Sequence, residues 1–156
     1  MRIARHAFGN GLPRRDLLVS QQHRILIGSR IAERVFGTAE VLIAAKNLIA
    51  LDGVEVVLPD HSVTYIHLLF CEHEIIFAEG TASESLYLGP QALRAMDAPA
   101  LAELELLLGV DGSSLPQTAH KPARLFAVGK QARLLVERHI KNSQALLPRL
   151  TAFAAT

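Results

Sequence analysis

Ser20-Gln21-Gln22-His23-Arg24-Ile25-Leu26-Ile27 and His73-Glu74-Ile75-Ile76-Phe77-Ala78-Glu79-Gly80 decide how this chain is read. Each sets a histidine at the edge of a short apolar run, a pattern that predicts a strand with a polar lip. Outward from them, Leu17-Leu18-Val19, Val54-Glu55-Val56-Val57-Leu58 and the run from Val63 to Phe70 have the same β-branched and aromatic character. Leu51-Asp52-Gly53-Val54 and Pro59-Asp60-His61-Ser62 predict turns, because Asp-Gly and Pro-Asp supply backbone angles that other residues adopt less easily. Cys71-Glu72-His73 is expected to reverse the chain between two paired strands. From Glu40 to Ile49, the good helix formers Ala, Leu and Lys predict one short helix.

Near Met96 the period changes. Leu101, Leu104, Leu107 and Leu108 recur at helical spacing, with Pro99 near the start and Gly109 just past the end. Val128, Ala132, Leu135, Val136 and Ile140 form a second apolar stripe, opposite Lys130, Arg133, Arg138 and Lys141. The stretch from Gly109 to Pro122 is rich in Gly, Ser and Pro and predicts a loop. The expected fold is mainly β over residues 1–96, with an α-helical C-terminal extension over 97–156. The helices either cap the β core or present a basic face to another chain.

A chain of 156 residues with half its residues apolar and a fifth charged is globular and can bury a core. A formal charge of +1 gives no electrostatic case for nucleic acid or an acidic membrane surface. The single cysteine, Cys71, excludes an internal disulfide framework and fits a reducing compartment. No run approaches the ~18 apolar residues that would span a bilayer, and the first residues form no signal-peptide hydrophobic stretch. These features lead to the expectation of a cytoplasmic protein without membrane or nucleic-acid partners.

Four residues are candidates for chemistry. His23 has a side chain that gives and takes protons near neutral pH, and Ser20 lies one turn before it. The alternative is that Ser20 closes a turn and His23 is an ordinary strand-edge residue. His73 either assists proton transfer or stabilises a hairpin turn. His67 either lies beside it in an adjacent strand or is a core residue bonded to backbone. Ser83, Glu79 and Glu84 are expected to serve the turn after the second run, where a carboxylate can also orient a histidine. His67, Cys71 and His73 offer zinc-type donors, but in one extended strand His67 and Cys71 are roughly 13 Å apart and the donor count is short, so no metal is expected. A thiol nucleophile at Cys71 with His73 as base lacks an orienting third group. Gly9-Asn10-Gly11 is a turn without the lysine and helix of a phosphate loop, and Arg14-Arg15 is too short for a nucleic-acid patch.

The stretch from Gly11 to Leu26 resembles one bacterial subgroup of the Hedgehog/intein (Hint) self-processing domains. So do Thr64 to Phe70, His73 to Gly80 and Ser83-Glu84-Ser85, in the same order. Ser20-x-x-His23 looks like the family's Ser/Thr-x-x-His motif, and His73…Phe77-x-x-Gly80 looks like its later strand motif; the resemblance spans roughly Arg5 to Leu93. It implies cleavage of a peptide bond by the side chain of the residue that follows, through an ester or thioester and without a cofactor. His23 would polarise that bond and protonate the departing nitrogen, Ser20 would orient the site, and His73 would assist the initial acyl shift, with His67 nearby. The family's opening Cys or Ser does not begin this sequence, and there is no closing His-Asn pair, since Asn142 lies in an expected helix and Lys141 precedes it. The chain is therefore expected to represent the latter part of a Hint domain, inefficient alone and completed by an N-terminal Hint segment. The competing expectation is a non-catalytic interaction scaffold, such as a homo-oligomer.

Overall fold

The computed structural model describes residues 1–58, 63–64, 66–110 and 121–147. Contacts divide them into two units. The first comprises the described residues of Met1–Ile66, Ile75–Glu84 and Arg124–Thr156, and the second those of His67–Glu74 and Ser85–Ala123.

In the first unit, β1 (Arg2–Ile3), β2 (Leu17–Leu18) and β5 (Val54–Glu55) form a small antiparallel sheet in the order β2-β1-β5. A larger sheet has the order β6-β7-β3-β4-β8, built from β3 (Arg24–Gly28), β4 (Glu40–Ala44), β6 (Ile75–Ala78), β7 (Thr81–Glu84) and β8 (Leu125–Ala127). Its strands are antiparallel except for the parallel β4–β8 pair. β3 is central and apolar on both faces. Ile25 and Ile27, with Val41 and Ile43 of β4, enter the main core beside Ile3, Phe8, Leu48 and Leu135. Leu26, Leu42 and Ala82 line the opposite face with Ile75 and Phe126. This alternation is the period-2 geometry of a strand covered on both sides.

The helix expected at Glu40 to Ile49 is instead strand β4 followed by a single 3-10 turn, Ala45–Leu48. Full burial of Val41, Leu42 and Ile43 is worth about 1.5–3 kcal/mol each, far more than the few tenths per residue by which Ala, Leu and Lys favour a helix. A helix the sequence reading did not foresee, α1 (Arg30–Phe36), forms the β3–β4 connection. The Ser29 hydroxyl caps it by accepting from the Ala32 N–H, and Gly37, at φ +75°, ends it.

The expected strand from Val63 to Phe70 is absent among its described residues, with Ile66 and Leu68 largely exposed. Of its described residues only Leu69 packs on a core, so the segment lacks the period-2 buried face that would favour a strand. The expected turn in Pro59 to Ser62 lies outside the described residues. Cys71 and Glu72 do bend the chain, but not between paired strands. The hairpin is β6–β7, joined by the two residues Glu79 and Gly80 between the paired Ala78 and Thr81. Both have positive φ, +52° and +78°, as the tight turn matching strand twist requires.

The second unit holds α2 (Pro90–Ala95) and α3 (Ala98–Leu108), with a core of Leu88 and Leu104 backed by Leu69, Leu86, Leu93, Met96, Leu101 and Leu108. The leucine spacing gives α3 as expected, capped by Asp97 and ended by Gly109 at φ +64°, although Leu107 is exposed. The loop expected from Gly109 to Pro122 lies mostly outside the described residues.

α4 (Gly129–Lys141) returns to the first unit and packs on α1. Its buried stripe is Ala132, Leu135, Val136 and His139, whereas Val128 and Ile140, expected inside, are exposed. A histidine replaces an aliphatic residue because both ring nitrogens are satisfied. Nδ1 lies 3.2 Å from the Gln144 carbonyl, which only accepts, so Nδ1 carries the proton. Nε2, 2.9 Å from the Ser29 hydroxyl, then accepts from it. The ring is held neutral, and burial lowers its proton affinity below the usual histidine range against the raising effect of the Gln144 and Ala145 backbone.

Two predictions follow from this packing. A Cβ at Gly80 would lie 2.8 Å from Leu12 Cδ2 in addition to the positive-φ strain, while one at Gly37 meets only the strain. Gly37→Ala should therefore cost about 1–2 kcal/mol in urea unfolding and Gly80→Ala more. Because the folded state disfavours protonated His139, its contribution is complete above the unfolded value of 6.5 and is lost as pH falls through the lower folded value. The stability difference between wild type and His139→Gln should shrink on acidification from pH 7.5 to 5, and a difference independent of pH would contradict this assignment.

Candidate functional site

Ser20 to His23 forms one tight turn leading into β3. The His23 N–H lies 3.2 Å from the Ser20 carbonyl and 3.1 Å from its hydroxyl oxygen. The other edge of the turn is tied to the 3-10 segment, with the Ala45 N–H donating to the His23 carbonyl at 2.9 Å and the Lys46 N–H to the Gln21 carbonyl at 3.0 Å. A short hydroxyl side chain at this position can replace a backbone acceptor, which is why serine suits the turn. The outcome is a fixed His23 backbone carrying a half-buried ring. Ser20 thus acts on His23 through the main chain.

The next residue leads to a partner in the other motif. The Arg24 N–H donates to Glu84 Oε1 at 2.9 Å, and the Arg24 guanidinium reaches both Glu84 oxygens, at 3.2 and 2.9 Å. The same guanidinium stacks 3.9 Å over the Phe126 ring, a favourable cation–π arrangement. The Glu84 side chain is only 7% exposed. Burial raises its proton affinity above the usual carboxylate range, and the charge and hydrogen bonds of Arg24 oppose that rise. Glu84 and Ser83 therefore lie on β7, not in the turn where they were expected. Glu79 does occupy the turn, where it pairs with Arg15. Arg24 and Phe126 were not singled out from the sequence. The available signal was a cation opening an apolar strand and an anion closing another, without a spacing rule to pair them.

His73 belongs to the second unit and is 3% exposed. Its Nδ1 accepts from the Ala123 N–H at 3.0 Å, which assigns the neutral ring with the proton on Nε2. Tyr87 packs on it with ring centroids 5.0 Å apart. Beside it, Glu74 and Ser85 exchange hydrogen bonds: the Glu74 N–H donates to the Ser85 hydroxyl and the Ser85 N–H to the Glu74 carbonyl. His67, in the same unit, is exposed rather than a core residue. Cys71 is exposed as well. No group of three His, Cys, Asp or Glu residues among those described is arranged to hold a metal ion. Asn142 ends α4 with its side-chain amide donating to the Arg138 carbonyl at 2.6 Å, which makes it a helix cap.

The structure thus joins Ser20 to His23 and connects the residue after His23 to Glu84 in the first unit, and it buries His73 within the second. No helix among the described residues is long and apolar enough to cross a membrane. Neither a curated protein nor a solved structure matches the chain. The model of the Hint domain family matches residues 1–90, a span that takes in the His23 turn, the β6–β7 hairpin, His73 and Glu84. By that match over more than half its length, the chain belongs to the Hint domain family.

Proposed function

We propose that this chain carries the polarising, proton-donating part of a self-processing site and depends on an attacking Cys or Ser from a preceding Hint segment. The observation that carries this reading is the fixed backbone of His23 beneath a half-buried ring. In the proposed reaction, the hydroxyl or thiol of that attacking residue adds to the carbonyl of the peptide bond before it. The C–N bond breaks as an ester or thioester forms, and His23 takes the proton of the attacking group and delivers one to the departing nitrogen. Histidine suits this step because its proton affinity lies near neutral pH, and immobilising it lowers the entropy of reaching the reactive geometry. Ser20 supports the turn, and the family resemblance gives His73 an assisting part in the acyl shift. His67, being exposed, is assigned no direct part.

Without the attacking atom, the 156-residue chain alone is inert toward cleavage in this reading. It works in the cytoplasm, where an exposed thiol such as Cys71 stays reduced. A second reading, a non-catalytic scaffold or homo-oligomer, draws on the small sheet, where Leu18 and Val56, beside β5, are 70% and 50% exposed.

The test joins the chain to an N-terminal Hint segment that carries the attacking Cys or Ser and follows intact mass with and without a thiol. Cleavage should appear, and His23→Ala should slow it by about 10²- to 10⁴-fold. An unchanged mass in a correctly folded product would overturn the reading in favour of the scaffold, and cleavage at the same rate in His23→Ala would remove His23 as its proton donor.

A further inference from the structure

We infer that Glu84 is a positioning residue for His23, acting through the backbone N–H of Arg24; its role in cleavage rests on the self-processing reading, but the geometry does not. The His23 peptide groups are held by bonds of two kinds. Those from Ser20 are local to the turn, and the one from the Ala45 amide comes from the 3-10 segment that follows β4, whose Lys46 amide holds the Gln21 carbonyl of the same turn. Glu84 supplies a tie from β7, 60 residues away in sequence. It accepts from the amide directly after His23, at the junction between the turn and β3. A side-chain carboxylate is an unusual acceptor in this position, because the strand beside β3 ordinarily provides carbonyls for such amides. Here β7 pairs with β3 only at Ile25–Ser83, and Glu84 extends the register by one residue with its side chain.

The guanidinium of Arg24 has a different part. It balances the charge of a carboxylate that is nearly buried and anchors the pair over Phe126. A buried ion pair is often replaceable by apolar side chains without loss of stability, so charge balance alone does not require these residues. Orientation of the amide does require an acceptor at residue 84. The two roles can therefore be separated.

The experiment compares Arg24→Met/Glu84→Gln with Arg24→Met/Glu84→Leu. Both remove the ion pair, and only the first retains an oxygen able to accept from the amide of residue 24. Two NMR readouts are taken on the chain as it exists: the ring signals of His23 through a pH titration, and amide exchange at residue 24 relative to Leu26 and Ile27. The Gln variant should keep the wild-type His23 titration and slow exchange. The Leu variant should shift the ring signals and exchange roughly tenfold faster at residue 24, with the two β3 amides unchanged. Identical His23 titrations in the two variants would overturn the inference, as would wild-type exchange at Arg24 as fast as that of an unprotected amide, a measurement that needs no variant to fold. Neither readout depends on cleavage. A joined protein that fails to cleave while these results hold would remove the self-processing reading and leave Glu84 as the positioner of His23.

Discussion

Burial of β3 on both faces is the constraint on which the rest of the first unit depends. Ile25 and Ile27 point into the core shared with α1 and α4, and Leu26 points into the smaller cluster with Leu42 and Ala82. A strand covered in this way cannot slip by one residue without exchanging its two faces, so its register is fixed. That register fixes Arg24 as its first residue, His23 just outside it, and Ser20 one turn earlier. It also places Ile25 opposite both Ile43 and Ser83, which brings β4 and β7 to the two sides of the turn. The Ala45 N–H arrives from one side and the Glu84 carboxylate from the other. A half-buried histidine on a fixed main chain is the consequence.

The sequence made much of this legible. Short apolar runs bounded by turn residues located β2, β3, β6 and the start of β5, and leucine spacing with Pro99 and Gly109 bounded α3. The period of α4 was readable too, but the identity of its inner residues was not. His139 is inside because Ser29 and the Gln144 carbonyl satisfy its ring, and those partners are distant or irregular in sequence. The strand at Glu40–Ala44 was misread because local propensity favours a helix there, and only the neighbouring β3 and β8 make extension worthwhile. The opposite error occurred at Val63 to Phe70, where among the described residues Leu69 packs on a core while Val63, Ile66, Leu68 and Phe70 stay exposed.

The site was legible to a similar degree. Ser20 and His23 are three residues apart, and a three-residue spacing with a hydroxyl is enough to suggest a turn. Its function in positioning the backbone follows from the 3.1 Å contact alone. His73 was visible as a motif residue, although its bond from the Ala123 amide joins positions 50 residues apart. Glu84 was noted with Glu79 as a carboxylate able to orient a histidine; the structure pairs it with Arg24, the residue after His23. The difference matters chemically. A carboxylate bonded to an imidazole would raise its basicity directly, whereas one bonded to the neighbouring amide sets where the imidazole stands.

The central claim is the proposal that His23 is held ready to polarise a peptide bond and protonate its nitrogen. The most direct measurement is a crystal structure of the chain joined to an N-terminal Hint segment, with the attacking Cys or Ser replaced by Ala so that the bond stays intact. The account predicts a His23 ring nitrogen within about 2.6–3.2 Å of the scissile peptide nitrogen or oxygen, directly or through one water. A folded, uncleaved protein with the scissile peptide remote from His23 would contradict it.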